Sequence, residues 1–215
     1  MSIPRRCEPG KLRVLALSDI HYPLTDEASL CRIIDEEKAD KVVFLGDCVK
    51  EDQDVPGFLD IVQGTRGSRD VVFIRGDEDS ESLPSVNSFE LYLGRNRFVF
   101  MHGNQFDVGT EGLTAKLASL LHKINGGLPA LAYATVARTR TGAIRKPTEH
   151  LLLGHCHALV YFPRLRVACT GCLTSAKNIY NDLGYVVIES DSAGGVNLLV
   201  RSLRDNGTAI FRISN

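Results

Sequence analysis

The sequence lacks an excess of charge of either sign. Its 25 lysines and arginines nearly balance its 26 aspartates and glutamates, which leaves a formal charge of -1 over 215 residues. A protein that holds DNA or RNA by the phosphates needs a surplus of cationic side chains, and this chain has none. We therefore expect no nucleic-acid partner. With 44% hydrophobic and 24% charged residues, the composition is otherwise that of an ordinary globular protein.

Long apolar runs are missing as well. No segment approaches the ~20 apolar residues of a membrane-spanning helix. The N-terminal stretch MSIPRRCEPGKLRVLALSD has only a short apolar part and no small-residue cleavage site, so it indicates a first β-strand rather than a signal peptide. Six cysteines without a secretory signal indicate reduced thiols rather than a disulfide framework. We expect a cytoplasmic protein without a membrane span.

What the sequence does have is an alternation of short apolar runs with helical patterns. The first part reads KLRVLALSD, DEASLCRIIDEEKAD, KVVFLGD, VPGFLDIVQG and DVVFIRGD. This order of strand and helix predicts a parallel sheet with helices on its faces, an α/β fold. A hairpin is predicted for FELYLG and RFVFMHG, and six further strands for HLLLGH, ALVYFP, RVACTG, GYVVIES, VNLLVRSL and TAIFRIS. We take residues 1–215 as a single domain.

One segment, residues 110–146, changes to a helical period. Its apolar residues recur at steps of three and four, at Leu113, Leu117, Leu120, Leu121 and Ile124. A second helical stretch, LPALAYATVAR, follows Gly126 and Gly127. This helical insertion is a candidate cap over a functional site. Its apolar stripe is expected to contact either the domain or a second subunit, and the sequence leaves both open.

Polar residues stand where the predicted strands end, which is where parallel sheets bind ligands. Carboxylates and imidazoles suit zinc, manganese, iron or nickel, and there are enough here for two ions that share a bridging carboxylate. Two ions about 3.5 to 4 Å apart can hold both the attacking and the leaving oxygen of a phosphoryl displacement. Any one of these residues alone could be a helix cap, a core histidine or a polar turn. The seven together predict a dinuclear metal site: Asp19, His21, Asp47, Asp77, His102, His155 and His157.

The motifs DxH, GD, GDED, HG and GHxH, in this order, resemble those of the calcineurin-like metallophosphoesterase superfamily. The resemblance implies a four-layer α/β/β/α sandwich with a short helical insertion and two metal ions at one end. Asp47 would bridge the ions, with a water or hydroxide as the nucleophile. We expect manganese, with iron, zinc or nickel as alternatives. By the same resemblance one ion is held by Asp19, His21 and His157, and the other by Asp77, His102 and His155.

Two branches of that superfamily share further features with this chain. Its compact size resembles the small phosphodiesterase branch. The stretch HGNQFD followed by helices is similar to the UDP-2,3-diacylglucosamine pyrophosphatases. The insertion is short and the GDED element differs from the pattern of those enzymes, so the resemblance does not extend to their lipid substrate.

The GDED segment departs from the family pattern. The superfamily usually has Asn in place of Asp77 and His in place of Glu78, while Asp79 matches the terminal acid and is expected to support the ligands. The two extra carboxylates bring a site with two divalent ions and a hydroxide to a formal charge of about -1, which repels phosphate. A protonated Glu78 acting as general acid would relieve this, as would a trivalent ion. Cationic side chains that contact the substrate would do the same, and the candidates are Arg75, Arg138 and Arg140.

We therefore expect a dinuclear metal-dependent phosphoesterase that hydrolyses small phosphodiester or pyrophosphate-type substrates, with Asp47 and Glu78 as catalytic residues. A diester is favoured because it carries less charge into an acid-rich site. The alternative is a degenerate, catalytically weak member that serves as a metal-binding or protein-interaction scaffold. The superfamily that the motifs resemble includes such a branch in its retromer subunit, and the GDED segment favours this alternative. A nuclease is a weaker third reading, opposed by the near-neutral charge.

Overall fold

Two β-sheets lie face to face in the computed structural model, which describes residues 11–65, 70–106, 119–120, 122–143, 146–174 and 180–213. The strands within these ranges are β1 Leu12–Leu17, β2 Lys41–Leu45, β3 Asp70–Ile74, β4 Phe89–Leu93, β5 Asn96–Met101, β6 Glu149–Leu153, β7 Leu159–Phe162, β8 Val167–Thr170, β9 Gly184–Ser190, β10 Val196–Ser202 and β11 Thr208–Ile213. The six-stranded sheet has the order β11-β10-β9-β1-β2-β3, and the five-stranded sheet has the order β4-β5-β6-β8-β7. Every strand that the sequence predicts is present.

The helices whose bounds the structure describes in full are α1 Glu27–Glu37, α2 Val55–Gly64 and α3 Leu128–Arg140, with short 3-10 turns at Asp52–Asp54 and Asn104–Phe106. Helix α1 begins at Asp26, whose carboxylate accepts a hydrogen bond from the Ser29 backbone N–H, and it ends at Lys38 in the left-handed conformation. Within the described part of the chain, no helix is long and apolar enough to cross a membrane.

The side chains of β1 show how the layers are built. Leu15 and Leu17 belong to the core beneath α1 and α2. Val14 and Ala16 point the other way, into the core between the two sheets, because successive residues of a strand face opposite sides. Ala134 of α3 joins a third core on the outer face of the five-stranded sheet. The four-layer α/β/β/α sandwich is therefore confirmed.

Parallel pairing brings the functional strand ends to one rim of the sandwich. β1 pairs in parallel with β2, β2 with β3, and β5 with β6. The carboxyl ends of each parallel set consequently lie side by side. The loops that leave these ends carry the predicted ligands Asp19, Asp47, Asp77, His102 and His155.

Part of the helical insertion lies outside the described residues, including Leu113, Leu117 and Leu121. Leu120 and Ile124, which are described, are 56% and 69% exposed. Helix α3 presents alanines to the five-stranded sheet and forms the outer fourth layer. Its Tyr133 also reaches the loop after β6, where its hydroxyl donates to the Gly154 carbonyl and its ring centroid lies 6.5 Å from that of His155. The role of the insertion as a cap stays a prediction.

Candidate metal centre

The seven predicted ligands converge in two groups at the rim. In each group one ligand atom of every residue lies within 4.8 Å of the others. The first group contains Asp47, Asp77, His102 and His155, and the second contains Asp19, His21 and His157. The division follows the assignment that the motif resemblance implies, with Asp47 in the first group.

His102 is held in one orientation by its ring hydrogen bonds. Its Nδ1 lies 2.6 Å from the backbone carbonyl of Leu45. A carbonyl can only accept, so Nδ1 carries the proton and Nε2 faces the carboxylates, a common arrangement of metal-binding histidines. His102 Nε2 lies 2.9 Å from Asp77 Oδ1 and 3.4 Å from Asp47 Oδ2. His155 Nδ1 lies 3.3 Å from the same oxygen of Asp77.

The second group contains a buried nitrogen that fits a metal ion. His21 Nε2 is buried and has no hydrogen-bond partner among the described residues. Beside it, His157 Nε2 lies 3.1 Å from Asp19 Oδ1. The other oxygen of Asp19 accepts hydrogen bonds from the His155 backbone N–H and the Ser18 hydroxyl. Buried polar atoms normally have a hydrogen-bond partner, so a buried imidazole nitrogen without one is unusual. A metal ion bound by this nitrogen and the neighbouring carboxylate would account for it.

Five of the seven ligands have left-handed backbone conformations. Their φ angles lie between 49° and 65°, at Asp19, His21, Asp47, His155 and His157. Aspartate and histidine adopt this region more often than most residues other than glycine, and the conformation turns the chain just after the strand ends.

The same conformation separates the two histidines of the GHCH segment. An extended chain would aim His155 and His157 in the same direction. Both residues are instead left-handed, and their imidazoles enter different candidate ligand groups. Cys156 between them packs beside an apolar cluster that includes Cys169.

Glycines next to the ligands allow the loops to approach closely. A Cβ atom on Gly76 would clash with the Asp47 carboxylate, and one on Gly154 would clash with the Ser18 hydroxyl. Neither position has room for a side chain. The glycine of GDED therefore permits the contact between the loops after β2 and β3.

Asp79 joins those two loops through backbone hydrogen bonds. Its Oδ1 accepts from the N–H groups of Cys48 at 2.6 Å and Val49 at 3.1 Å. Its Oδ2 accepts from the N–H groups of Asp47 at 3.0 Å and Gly76 at 2.7 Å. One carboxylate thus fixes the backbone on both sides of the first ligand group.

The carboxylates of the centre concentrate negative charge, which favours positively charged groups beside them. Hydrogen bonds to His102 and His155 hold the pKa of Asp77 far below its usual range. Burial lowers the pKa of His102, but its hydrogen bonds to Asp47 and Asp77 outweigh burial and raise that pKa well above the usual value. Burial raises the pKa of Asp19, yet the hydrogen bond from His157 and the charge of His102 bring it below normal. Protonated imidazoles balance the negative charge of these carboxylates here, and metal cations can balance the same charge.

The centre is deep on one side and open on the other. Asp19 is fully buried and His102 is 1% exposed, whereas the Asp77 side chain is 43% exposed. Substrate would enter at Asp77. At this opening Lys50 Nζ lies 3.4 Å from Glu78 Oε2, and the Glu78 backbone N–H donates to Asp47 Oδ1 at 3.0 Å.

Lys50 is a residue that the sequence analysis missed. It stands three positions after Asp47, and its spacing carries no motif. The only signal was a cation close in sequence to a ligand. Its ammonium group forms a solvent-exposed ion pair with the Glu78 carboxylate of the GDED segment.

The structure treats the three candidate arginines differently. Arg138 is 3% exposed, and its guanidinium donates to the backbone carbonyls of Glu149 and Lys146 at 2.7 and 2.9 Å. Glu149 begins β6, whereas the metal centre follows the end of that strand, so Arg138 does not reach the substrate opening. Arg140 is exposed and donates to the carbonyl of Gln105, in the turn after His102. Arg75 is half-buried directly before Gly76.

The calcineurin-like phosphoesterase superfamily domain model matches residues 12–192 of this chain. No curated protein matches it. Among solved structures, Vps29 from Cryptosporidium parvum is 18% identical with a TM-score of 0.62, covering 96% of this chain and all of that one. Vps29 from Entamoeba histolytica complexed with zinc is 17% identical with a TM-score of 0.60, covering 94% and 98%. The E. coli phosphoesterase YfcE is 18% identical with a TM-score of 0.57, covering 94% and 100%. At these identities the structures show a common fold.

Proposed function

The chain belongs to the calcineurin-like phosphoesterase superfamily, and from that premise we propose that it is a dinuclear metal-dependent phosphoesterase. The observation that carries the proposal is the convergence of seven carboxylate and imidazole ligands into two adjoining groups. Two groups of this kind match a pair of ions, and shared metal pairs serve phosphoryl displacement.

The ligands divide naturally between two ions. Asp19, His21 and His157 would hold one, and the remaining group would hold the other, with Asp47 as the shared ligand. When bound, such ions supply a hydroxide at neutral pH and stabilise the charge of the phosphoryl group in the transition state. We expect manganese from the mixture of oxygen and nitrogen donors, and iron, zinc and nickel suit the same donors.

The open side of the centre favours small phosphodiesters or pyrophosphate-type substrates. Asp77 adds a carboxylate where the superfamily usually has a neutral ligand, and Glu78 adds a second. Lys50 offsets one of these charges at the opening, and Arg140 stands near the turn after His102. A diester brings less negative charge into this environment than a monoester. Arg75 stays a candidate for substrate contact, while the placement of Arg138 removes it.

Metal content and turnover together test the proposal. Protein freed of metal and reconstituted with manganese, iron or zinc is expected to bind close to two ions per chain by elemental analysis. It should then hydrolyse bis(p-nitrophenyl) phosphate faster than p-nitrophenyl phosphate. Failure to bind any of these metals contradicts the metal centre. Two bound ions per chain without hydrolysis of either ester would contradict the proposal that the protein is an enzyme.

The contact between Lys50 and Glu78 gives a second prediction. Lys50→Gln leaves the Glu78 carboxylate without its cation, so kcat/KM for a monoester should fall by about 2- to 5-fold more than for a diester. Glu78→Gln should change the ratio of kcat/KM for the monoester to kcat/KM for the diester in the opposite direction. Lys41→Gln serves as the control, because Lys41 pairs with Asp70 at the other end of β2. An unchanged ratio in both variants at low ionic strength would remove this pair from substrate selection.

A scaffold without turnover is the second candidate function. It is favoured by the acidic GDED segment and by the structural likeness to Vacuolar Protein Sorting 29 from Cryptosporidium parvum. The exposed Leu120 and Ile124 of the insertion offer an apolar surface for a protein partner or a second copy.

We assign the chain to the cytoplasm because the five cysteines of the described residues are free thiols.

A further inference from the structure

An open pocket lies at the end of the sandwich opposite the metal centre. It has a volume of about 410 Å³ and lies between the start of β6, the turn from β7 to β8, and strand β11. His150 is the second residue of β6, and three residues of extended chain, about 10 Å, separate it from Leu153, where the strand ends before the metal-centre loop. Its lining includes His150, Tyr161, Arg166, Ile210, Phe211 and Arg212.

The pocket is positively charged. Arg166 and Arg212 line it, and none of the described lining residues carries a carboxylate side chain. The neighbouring acid, Glu149, is occupied elsewhere, because its carboxylate pairs with Arg97 and Lys146. The two guanidinium groups therefore stand without an acidic partner from the lining.

Two buried side chains register this positive potential. Burial, followed by the charges of Arg166 and Arg138, lowers the pKa of His150 to about 4. Burial raises the pKa of Tyr161, and the same two arginines oppose the rise. His150 Nδ1 lies 3.4 Å from the Tyr161 hydroxyl, so a neutral polar pair forms the floor of the pocket. At neutral pH the charge of the site comes from its arginines.

One wall of the pocket is apolar and partly open to solvent. The rings of Tyr161 and Phe211 meet edge to face with centroids 5.1 Å apart. Cationic forks beside an aromatic wall suit a ligand with one charged end and a flat apolar body.

We propose that this pocket binds an organic anion with a carboxylate or phosphate head on a flat apolar body. The head contacts Arg166 and Arg212, whose planar donor forks match both kinds of oxyanion. The body covers the Tyr161–Phe211 pair. The volume is within the usual range for small-molecule sites. This site is separate from the metal centre and does not depend on the proposed phosphoesterase activity.

Binding of 2-naphthoate, measured by isothermal titration calorimetry, tests the proposal. Arg166 has a φ of 52°, a region that Asn tolerates, so Arg166→Asn removes the cation and retains the backbone. We expect this variant to bind at least about 10-fold more weakly, as expected for the loss of a charge-assisted hydrogen bond. Arg212→Gln, on an exposed edge position, should do the same and carries the test if Arg166→Asn fails to fold. Arg95→Gln, in the turn from β4 to β5, makes the same charge change elsewhere and should bind normally.

Two further ligands identify the chemistry that is recognised. 2-Naphthamide has the same body without the charge and should bind at least about 10-fold more weakly than 2-naphthoate. 2-Naphthylphosphonate, compared with the carboxylate, shows which head is preferred. Equal binding of the amide and the carboxylate overturns the proposal, as does wild-type affinity for 2-naphthoate in both arginine variants. Loss of 2-naphthoate binding in Asp47→Asn would place the anion at the metal centre and would also overturn it.

Discussion

Asp47→Asn is expected to lower phosphodiester hydrolysis by at least about 100-fold and to reduce the metal content from two ions to about one per chain. Asp47 is 6% exposed, and its Oδ2 lies 3.4 Å from His102 Nε2 within the first ligand group. Asparagine retains one oxygen but lacks the charge, and its N–H₂ group cannot bind a cation. A neutral residue at the shared position therefore cannot hold two like-charged ions together.

The backbone should tolerate this exchange, so the loss would report on metal binding. Asp47 has a φ of 52°, a left-handed conformation that Asn adopts as readily as Asp. Asp40→Asn is the matched control, because Asp40 precedes β2 and its carboxylate accepts from the Arg13 N–H at the other end of the strand. Elemental analysis and steady-state rates measure the two effects. Two bound ions and wild-type turnover in Asp47→Asn would contradict the bridging role.

The strands and the ligand types could be predicted because both depend on local sequence. KLRVLALSD alternates side chains between two cores, and its polar end follows directly. Asp19, Asp47 and Asp77 each stand after a buried run, and parallel pairing brings such ends together. The set of candidate ligands could therefore be predicted from the sequence, without the distances between their side chains.

The features that the sequence did not predict depend on contacts between distant segments. Arg138 resembled a substrate-binding cation, yet its guanidinium binds the carbonyls of Glu149 and Lys146. The left-handed turns at His155 and His157 carry no signature in the apolar pattern of the sequence. Lys50 meets Glu78 only because two loops from neighbouring strands lie side by side. The periodicity of apolar residues carries no information about such contacts between distant segments.

The structure changes the meaning of the acidic GDED segment. Asp77 stays among the ligands, and Glu78 directs its carboxylate to Lys50 while its backbone N–H supports Asp47. Asp79 accepts four backbone N–H groups. The three acids thus have three different positions, and one of them has a cation at hand. The GDED segment thus keeps a candidate metal ligand, Asp77, next to an acid that pairs with Lys50.

Asp79→Asn is expected to be the most damaging change outside the metal ligands. An amide oxygen can accept from two of the four N–H groups, but the N–H₂ group would face the remaining donors. A buried N–H without a partner costs about 1–3 kcal/mol, so the free energy of unfolding should fall by about 2–5 kcal/mol. Because Asp79 joins the Asp47 loop to Gly76, metal affinity should also fall by about 10- to 100-fold.

Chemical unfolding of the metal-free protein and metal titration separate the two consequences of Asp79→Asn. Asp191→Asn is the control, since Asp191 accepts the N–H groups of Ala193 and Gly195 at 2.9 and 2.8 Å in a turn between β9 and β10. It should lose some stability and retain metal affinity, because its turn carries none of the seven ligands. If Asp79→Asn is less stable but binds metal as tightly as the wild type, Asp79 supports the fold alone and not the placement of Asp47.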